Sequence, residues 1–105
     1  MSRLQENKGF VELLLNSHNL QVEALLKSVN IKQTYLVCEI VLNILEGVLQ
    51  LTPIAKTRLK KYKTIFRNLT KRRGGIKSKQ KLIISNSKAL LLLLKSVNKQ
   101  LKSQI

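Results

Sequence analysis

Apolar residues return at every third or fourth position along most of this chain, and that spacing confines it to α-helices. Strand signals are missing. One proline and four glycines punctuate the whole sequence, and no alternating β-branched or aromatic run lies between turn dipeptides. A first helix is expected from Ser2, with Gln5 in the capping-box position and Leu4, Val11, Leu14 and Leu15 on one face. Asn16 to Asn19 should break it, because short polar side chains compete for the helical backbone. A second helix, about 19–29, should turn Leu20, Ala24, Leu25 and Val29 inward. A third follows Asn30, again with a capping-box glutamine at 33, and runs to about Leu49. It is apolar nearly all round, the mark of a buried helix. Gly47 near its end fits either a stop or a close helix crossing.

Thr52-Pro53 is the clearest boundary: a capping threonine, then a proline at the first helical position. The fourth helix should run to about Arg73 and stop at Gly74-Gly75. A short basic helical segment, IKSKQKLII, follows, and Ser85-Asn86-Ser87 offers another cap. The last helix, about 87–102, carries Leu90, Leu91, Leu94, Val97 and Leu101, a stripe expected to pack on the third helix. With 105 residues, 44% of them apolar, the chain is expected to form one all-α domain over residues 1–105. It would be a small bundle of about five helices around a buried central one.

Charge divides this domain in two. Residues 1–50 hold five acids and four bases, whereas residues 51–105 hold sixteen bases and no acid; the whole carries a formal net charge of +15. The neutral, apolar half is expected to supply core, and the basic half to meet an anion. At 100° per residue, Ala55, Leu59, Tyr62, Phe66 and Leu69 fall within an arc of about 80° on the fourth helix. Lys56, Lys60, Lys63, Arg67 and Lys71 fill a second arc beside it, with Arg58 and Lys61 at its flanks. Arg72, Arg73, Lys77, Lys79 and Lys81 continue the charge around a flexible glycine pair. Like charges four apart repel by a few tenths of a kcal/mol per pair, and no carboxylate on this helix offsets that. A bound polyanion would. The alternative is a solvated basic face with no partner, but such faces ordinarily mix both signs.

The pattern points to phosphate contact and shape rather than to base reading. No helix-turn-helix, zinc-finger or basic-zipper signature is present, and the glycines lack Walker-loop spacing. Tyr62 and Phe66 lie on the apolar arc, so they are expected in the core and not on a stacking surface.

Catalysis has little material. His18 sits in a polar turn and Cys38 in an apolar run, where a small buried hydrophobe is the simplest role. A single cysteine makes no internal disulfide and fits a reducing compartment. Glu39 and Glu46 lie two turns apart, about 10 Å, too far for most paired-carboxylate chemistry. They are expected to pair with cations of the fourth helix. No metal set, cofactor or enzymatic activity is expected. Neither a signal peptide nor a transmembrane helix is expected, since the first residues are polar and no apolar run approaches about 18 residues.

The run Glu39-Ile40-Val41-Leu42-Asn43-Ile44-Leu45-Glu46-Gly47, then Leu51-Thr52, Leu59-Lys60-Lys61-Tyr62-Lys63, Arg67-Asn68-Leu69 and a basic segment resembles small basic proteins of Maverick/Polinton elements and of related animal viruses that share genes with adenoviruses. The likeness covers residues 33 to about 83. It implies a minor virion or core protein that accompanies packaged double-stranded DNA, in the host nucleus and the virion. In such proteins a Gly-Gly-Phe step often precedes the last hydrophobic segment, whereas Ile83-Ile84-Ser85-Asn86-Ser87 stands here. No adenovirus-type protease site is matched at 45–49 or 72–75.

The function expected is sequence-independent binding and condensation of double-stranded DNA, at Lys56, Lys60, Lys61, Lys63, Arg67, Lys71, Arg72, Arg73, Lys77, Lys79 and Lys81. Two other classes stay open. The Leu-rich, lysine-flanked last helix suits action on an anionic membrane, and the basic half suits a structural adaptor for an acidic partner, among them other virion proteins.

Overall fold

Single asparagines, serines and glycines cut the helical pattern into short rods. The computed structural model describes residues 2–105, and side chains for residues 3–105. In chain order the helices are α1 (Ser2–Glu6), α2 (Lys8–Asn16), α3 (Asn19–Lys27), α4 (Ile31–Leu45) and α5 (Pro53–Leu59). A 3₁₀ turn (Lys60–Tyr62) follows, then α6 (Lys63–Thr70), α7 (Ile76–Ser85), α8 (Ser87–Ser96) and α9 (Asn98–Lys102). The fold is all-α, as expected, but three of the anticipated helices are divided. Asn7 separates α1 from α2, and its Nδ2 donates to the Arg3 carbonyl at 2.9 Å. The 3₁₀ turn interrupts the fourth helix, which stops at Thr70 and not at Arg73. Val97 separates α8 from α9.

Several caps form as their residues dictate. Asn30 Oδ1 accepts from the Gln33 N–H at 2.8 Å, while Gln33 Oε1 accepts from the Asn30 N–H at 3.0 Å. Thr52 Oγ1 accepts from the Ala55 N–H, with Pro53 beginning α5. The capping box expected at Ser2 rests on a side chain outside the described ones, and Gln5 Nε2 donates to the Gln104 carbonyl. α4 ends four residues earlier than anticipated. Gly47, at φ 81°, lets the Val48 N–H reach the Asn43 carbonyl and the Gly47 N–H reach the Ile44 carbonyl, the paired bonds of a Schellman stop.

One core joins the two halves of the chain. Leu4, Leu26, Leu36, Ile40, Leu69, Ile83, Leu90 and Leu101 are fully buried within it. α4 packs chiefly on α7 and α6, and α3 chiefly on α8. The Leu run therefore lies against α3, with α2, α5 and α7 beside it, and not on α4 as expected. The expected face of α3 holds in part: Val29 is buried and Leu25 packs on the core, but Leu20, 80% exposed, and Ala24 face solvent, and Val22 and Leu26 are buried instead. Nor is α4 covered all round. Tyr35, Leu42 and Leu45 remain exposed on its outer side.

Neutral amides tie distant segments together. Gln50 and Gln100 exchange two bonds, Gln50 N–H to Gln100 Oε1 at 2.8 Å and Gln100 Nε2 to the Gln50 carbonyl at 2.6 Å. Gln80 Nε2 donates to the Val29 carbonyl at 2.7 Å, and Asn98 Nδ2 to the Leu15 carbonyl at 3.2 Å. These bonds hold loops and helix ends whose carbonyls lack helical partners.

Candidate nucleic-acid interface

Five of the eleven cations anticipated at the site sit on three successive elements. Lys56 is on α5, Lys60 and Lys61 on the 3₁₀ turn, and Lys63 and Arg67 on α6. Behind them Leu59, Phe66 and Leu69 are buried, with Ala55 and Tyr62 partly so. The apolar arc thus faces the core, and the basic arc is left in solvent. Tyr62 and Phe66 meet with ring centroids 6.3 Å apart, inside the range of favourable aromatic pairs. The Lys61 ammonium lies 5.1 Å from the Tyr62 centroid, so this lysine is turned over the ring.

The 3₁₀ turn matters to the site. Side chains three apart eclipse in 3₁₀ geometry, so Lys63 stays on the side of Lys60. Lys56, Lys60 and Lys63 together line an open groove of about 720 Å³ whose other wall is the end of α4. Arg67 does not line it.

The basic segment after the glycine pair is helical, as expected. Only Lys71 to Gly75 lie outside helices, with Gly74 at φ 97° turning the chain. Lys77, Lys79 and Lys81 stand on α7. Lys77 and Lys81 share an exposed face, one turn apart. Lys79 is half-buried, and its Nζ donates to the Lys71 carbonyl at 2.6 Å. It closes the loop and is less available to a ligand than its neighbours. Lys88, Lys95, Lys99 and Lys102 are exposed on α8 and α9. They add to the same charge excess and were not singled out from the sequence, although their spacings of seven, four and three also place them on one side at 100° per residue.

The acids do not meet these cations. Glu39 Oε2 lies 3.5 Å from Arg3 Nε and takes no hydrogen bond although it is buried. The Arg3 guanidinium also rests 4.8 Å from the centre of the Tyr35 ring, so Arg3 clamps α1 to α4. The expected pairing of Glu39 and Glu46 with helix-four cations therefore fails. α4 offers its aliphatic side to α6 and α7, and Glu39 points toward α1. The other ion pair among the described residues is Lys8–Glu12 at 4.0 Å. Both pairs belong to the first half. Among the described residues, none of the sixteen cations of 51–105 has a carboxylate side chain within 4.0 Å.

Cys38 is half-buried against the core. Burial pushes its thiol above the ordinary value of 9.0, with the positive charges of Lys79 and Arg3 pulling weakly the other way. A raised thiol is a poor nucleophile at neutral pH. His18 is exposed at the start of α3, its N–H donating to Gln21 Oε1 at 3.4 Å. Among the described residues no group of three or more His, Cys, Asp or Glu is placed to hold a metal ion, and no helix is long and apolar enough to cross a membrane. Compared with known protein families, curated proteins and solved structures, the chain matches none.

Proposed function

We propose that this protein binds double-stranded DNA through its phosphates, without sequence preference, and condenses it as a small basic virion or core component acting in the nucleus. The observation that carries the reading is the surface of residues 51–105. Ten of the eleven cations anticipated there are exposed, and none has a carboxylate partner among the described residues. Self-repulsion among them is relieved by a polyanion and by nothing described within the chain. The resemblance to proteins of Maverick/Polinton elements agrees with this role. Size agrees as well. The molecule measures 30 × 29 × 27 Å, so one face spans about nine base pairs at about 3.4 Å each.

Neutralising about eight phosphates should give a slope near −7 for log K against log salt on duplex DNA. Fluorescence polarisation with a labelled duplex and its scrambled counterpart, between 50 and 200 mM NaCl, measures this. Both duplexes should weaken together, by about 10⁴-fold over the range. A slope near −2 would dismiss a phosphate-reading surface. Changing Lys56, Lys60, Lys63 and Arg67 together to Gln should leave the melting curve cooperative, since their apolar neighbours are untouched, and should lower duplex affinity by orders of magnitude. Unchanged affinity would move the surface to Lys71–Lys81 or to α8 and α9.

The membrane alternative needs the apolar stripe of α8 to be free. Leu90, Leu94, Val97 and Leu101 are buried at 0–3% exposure, so that action would first require α8 and α9 to leave the core.

A further inference from the structure

A phosphate backbone accounts for the lysines of α5 and α6 but not for the apolar surface they enclose. The groove between them and the end of α4 has a volume of about 720 Å³. Ile44, Leu59, Phe66 and Leu93 form its floor, and Leu45, 43% exposed, stands at its lip. Lys56, Lys60 and Lys63 rim one long side, and no carboxylate lines it. Leu42, one turn before Leu45, is exposed as well, so apolar surface extends beyond the lip. Contiguous apolar surface rimmed by polar groups is the usual form of an interaction site.

We infer that this groove receives an acidic amphipathic helix of a partner protein. Its apolar residues, three and four apart, enter between α4 and α6, and its bordering carboxylates meet Lys56, Lys60 and Lys63. The shape of the charge favours a helix. Lys56, Lys60 and Lys63 span seven residues, about 10–12 Å at the rises of α and 3₁₀ helix, and so form a row. An amphiphile with one anionic head would engage one end of that row. A helix with carboxylates at i, i+4 and i+7 engages all of it, while anchors at the same spacing fill an apolar groove. The 3₁₀ turn favours this, because it keeps Lys60 and Lys63 on the groove side. The groove is thus a protein-docking surface that shares lysines with the proposed DNA surface, and the two ligands compete.

The test uses the full chain and a labelled synthetic helical peptide of about 15 residues, with leucines on one face and glutamates bordering it. A second peptide has the same composition in an order that destroys the apolar face. The amphipathic peptide is expected to bind, and the disordered-face peptide to bind about tenfold more weakly or less. Leu45→Gln, at an exposed lip position that spares the core, should weaken the amphipathic peptide severalfold and leave duplex DNA affinity unchanged. Lys56→Gln, Lys60→Gln and Lys63→Gln combined should weaken both ligands. Equal binding of the two peptides, or indifference of the amphipathic one to Leu45→Gln, would reduce the groove to general charge attraction and overturn the inference. So would Leu45-dependent binding to phosphatidylglycerol vesicles with no binding of the peptide, which would assign the groove to lipid. The peptide measurement stands apart from the DNA reading: a chain that ignored duplex DNA but bound the amphipathic peptide through Leu45 would keep the inference and lose the other.

Discussion

Gly47 closes α4 through its backbone and not through crowding. A Cβ built there would meet nothing within 4 Å, so the position needs glycine only for φ 81°, where other residues pay about 1–2 kcal/mol in strain. The sequence left a stop and a close crossing equally open, since both use glycine; the dihedral and the empty space around it separate them. Cys38 gives a measurable residue-scale consequence. Its thiol is raised, first by burial, so the unfolded chain releases this proton at lower pH than the folded one. The contribution of Cys38 is therefore intact below about pH 9 and is lost as pH climbs through the raised folded value. Between pH 8 and pH 10.5 the parent should lose more stability than Cys38→Ala, measured by urea unfolding at each pH. Every other group is common to both proteins, so the difference between the two isolates the thiol. A parallel decline would show that burial does not shift it. The cations of the candidate site were legible residue by residue, because a charged side chain beside an apolar arc has one place to go. The partner of Glu39 was not legible, because it depends on which helix α4 turns toward that carboxylate.

At the scale of elements, α8 decides whether the halves of the chain cohere. Ala89, Leu90, Leu91, Leu93 and Leu94 are all buried on it, and α3, the principal partner, has a thin apolar face of its own in Val22 and Leu26. Leu94→Ala should cost about 2–5 kcal/mol through the cavity it leaves, a large share of the about 5–15 kcal/mol typical of a domain. Thermal melting followed by circular dichroism measures it, and an unshifted melt would mean that α8 does not carry the core. The last helix was readable in outline for the reason that makes it stable: leucines and Val97 at three and four on one side, lysines elsewhere. Its break at Val97 was not readable, nor was the break at Asn7. A lone Asn inside an apolar pattern is tolerated as often as it ends a helix, whereas Asn16 to Asn19 and Ser85 to Ser87 are runs. The face of α3 was read only in part, with Leu25 and Val29 toward the core as expected, because the helix offers two further stripes, Leu20 with Ala24 and Val22 with Leu26. Periodicity ranks them equally, and only the position of α8 chooses between them. The groove was hidden for a similar reason. It exists because α4 stops at Leu45 and leaves the lysine row facing the end of that helix, and this boundary does not follow from apolar spacing.

For the molecule as a whole, salt should act with opposite sign on stability and on binding. A net charge of +15 is confined to a body with a radius of gyration of 12.4 Å. At 10 mM ionic strength the Debye length is about 30 Å, so each cation feels the others across the molecule; at 1 M it is about 3 Å. Folding brings these charges together, and the expanded unfolded chain relieves them, so screening favours the folded state. Little pulls the other way. The two ion pairs involve side chains that are largely exposed, Glu39 excepted, and such pairs contribute about 0–1 kcal/mol each. The long-range polar ties run through neutral amides at Gln5, Gln50, Gln80, Asn98 and Gln100, which salt does not screen. The melting temperature is therefore expected to rise steadily from 10 to 500 mM NaCl, by about 4–8 °C for each kcal/mol gained, over the range in which duplex affinity collapses. The Gln variant at Lys56, Lys60, Lys63 and Arg67, with four fewer positive charges, should begin with a higher melting temperature at 10 mM and gain less. Sulfate matched to NaCl in ionic strength separates screening from ion binding: equal gains mean diffuse repulsion, and a larger gain at millimolar sulfate means a discrete anion seat. A melting temperature that fell with NaCl would show that attractive pairs, and not the surplus of cations, govern the charge energy of the fold.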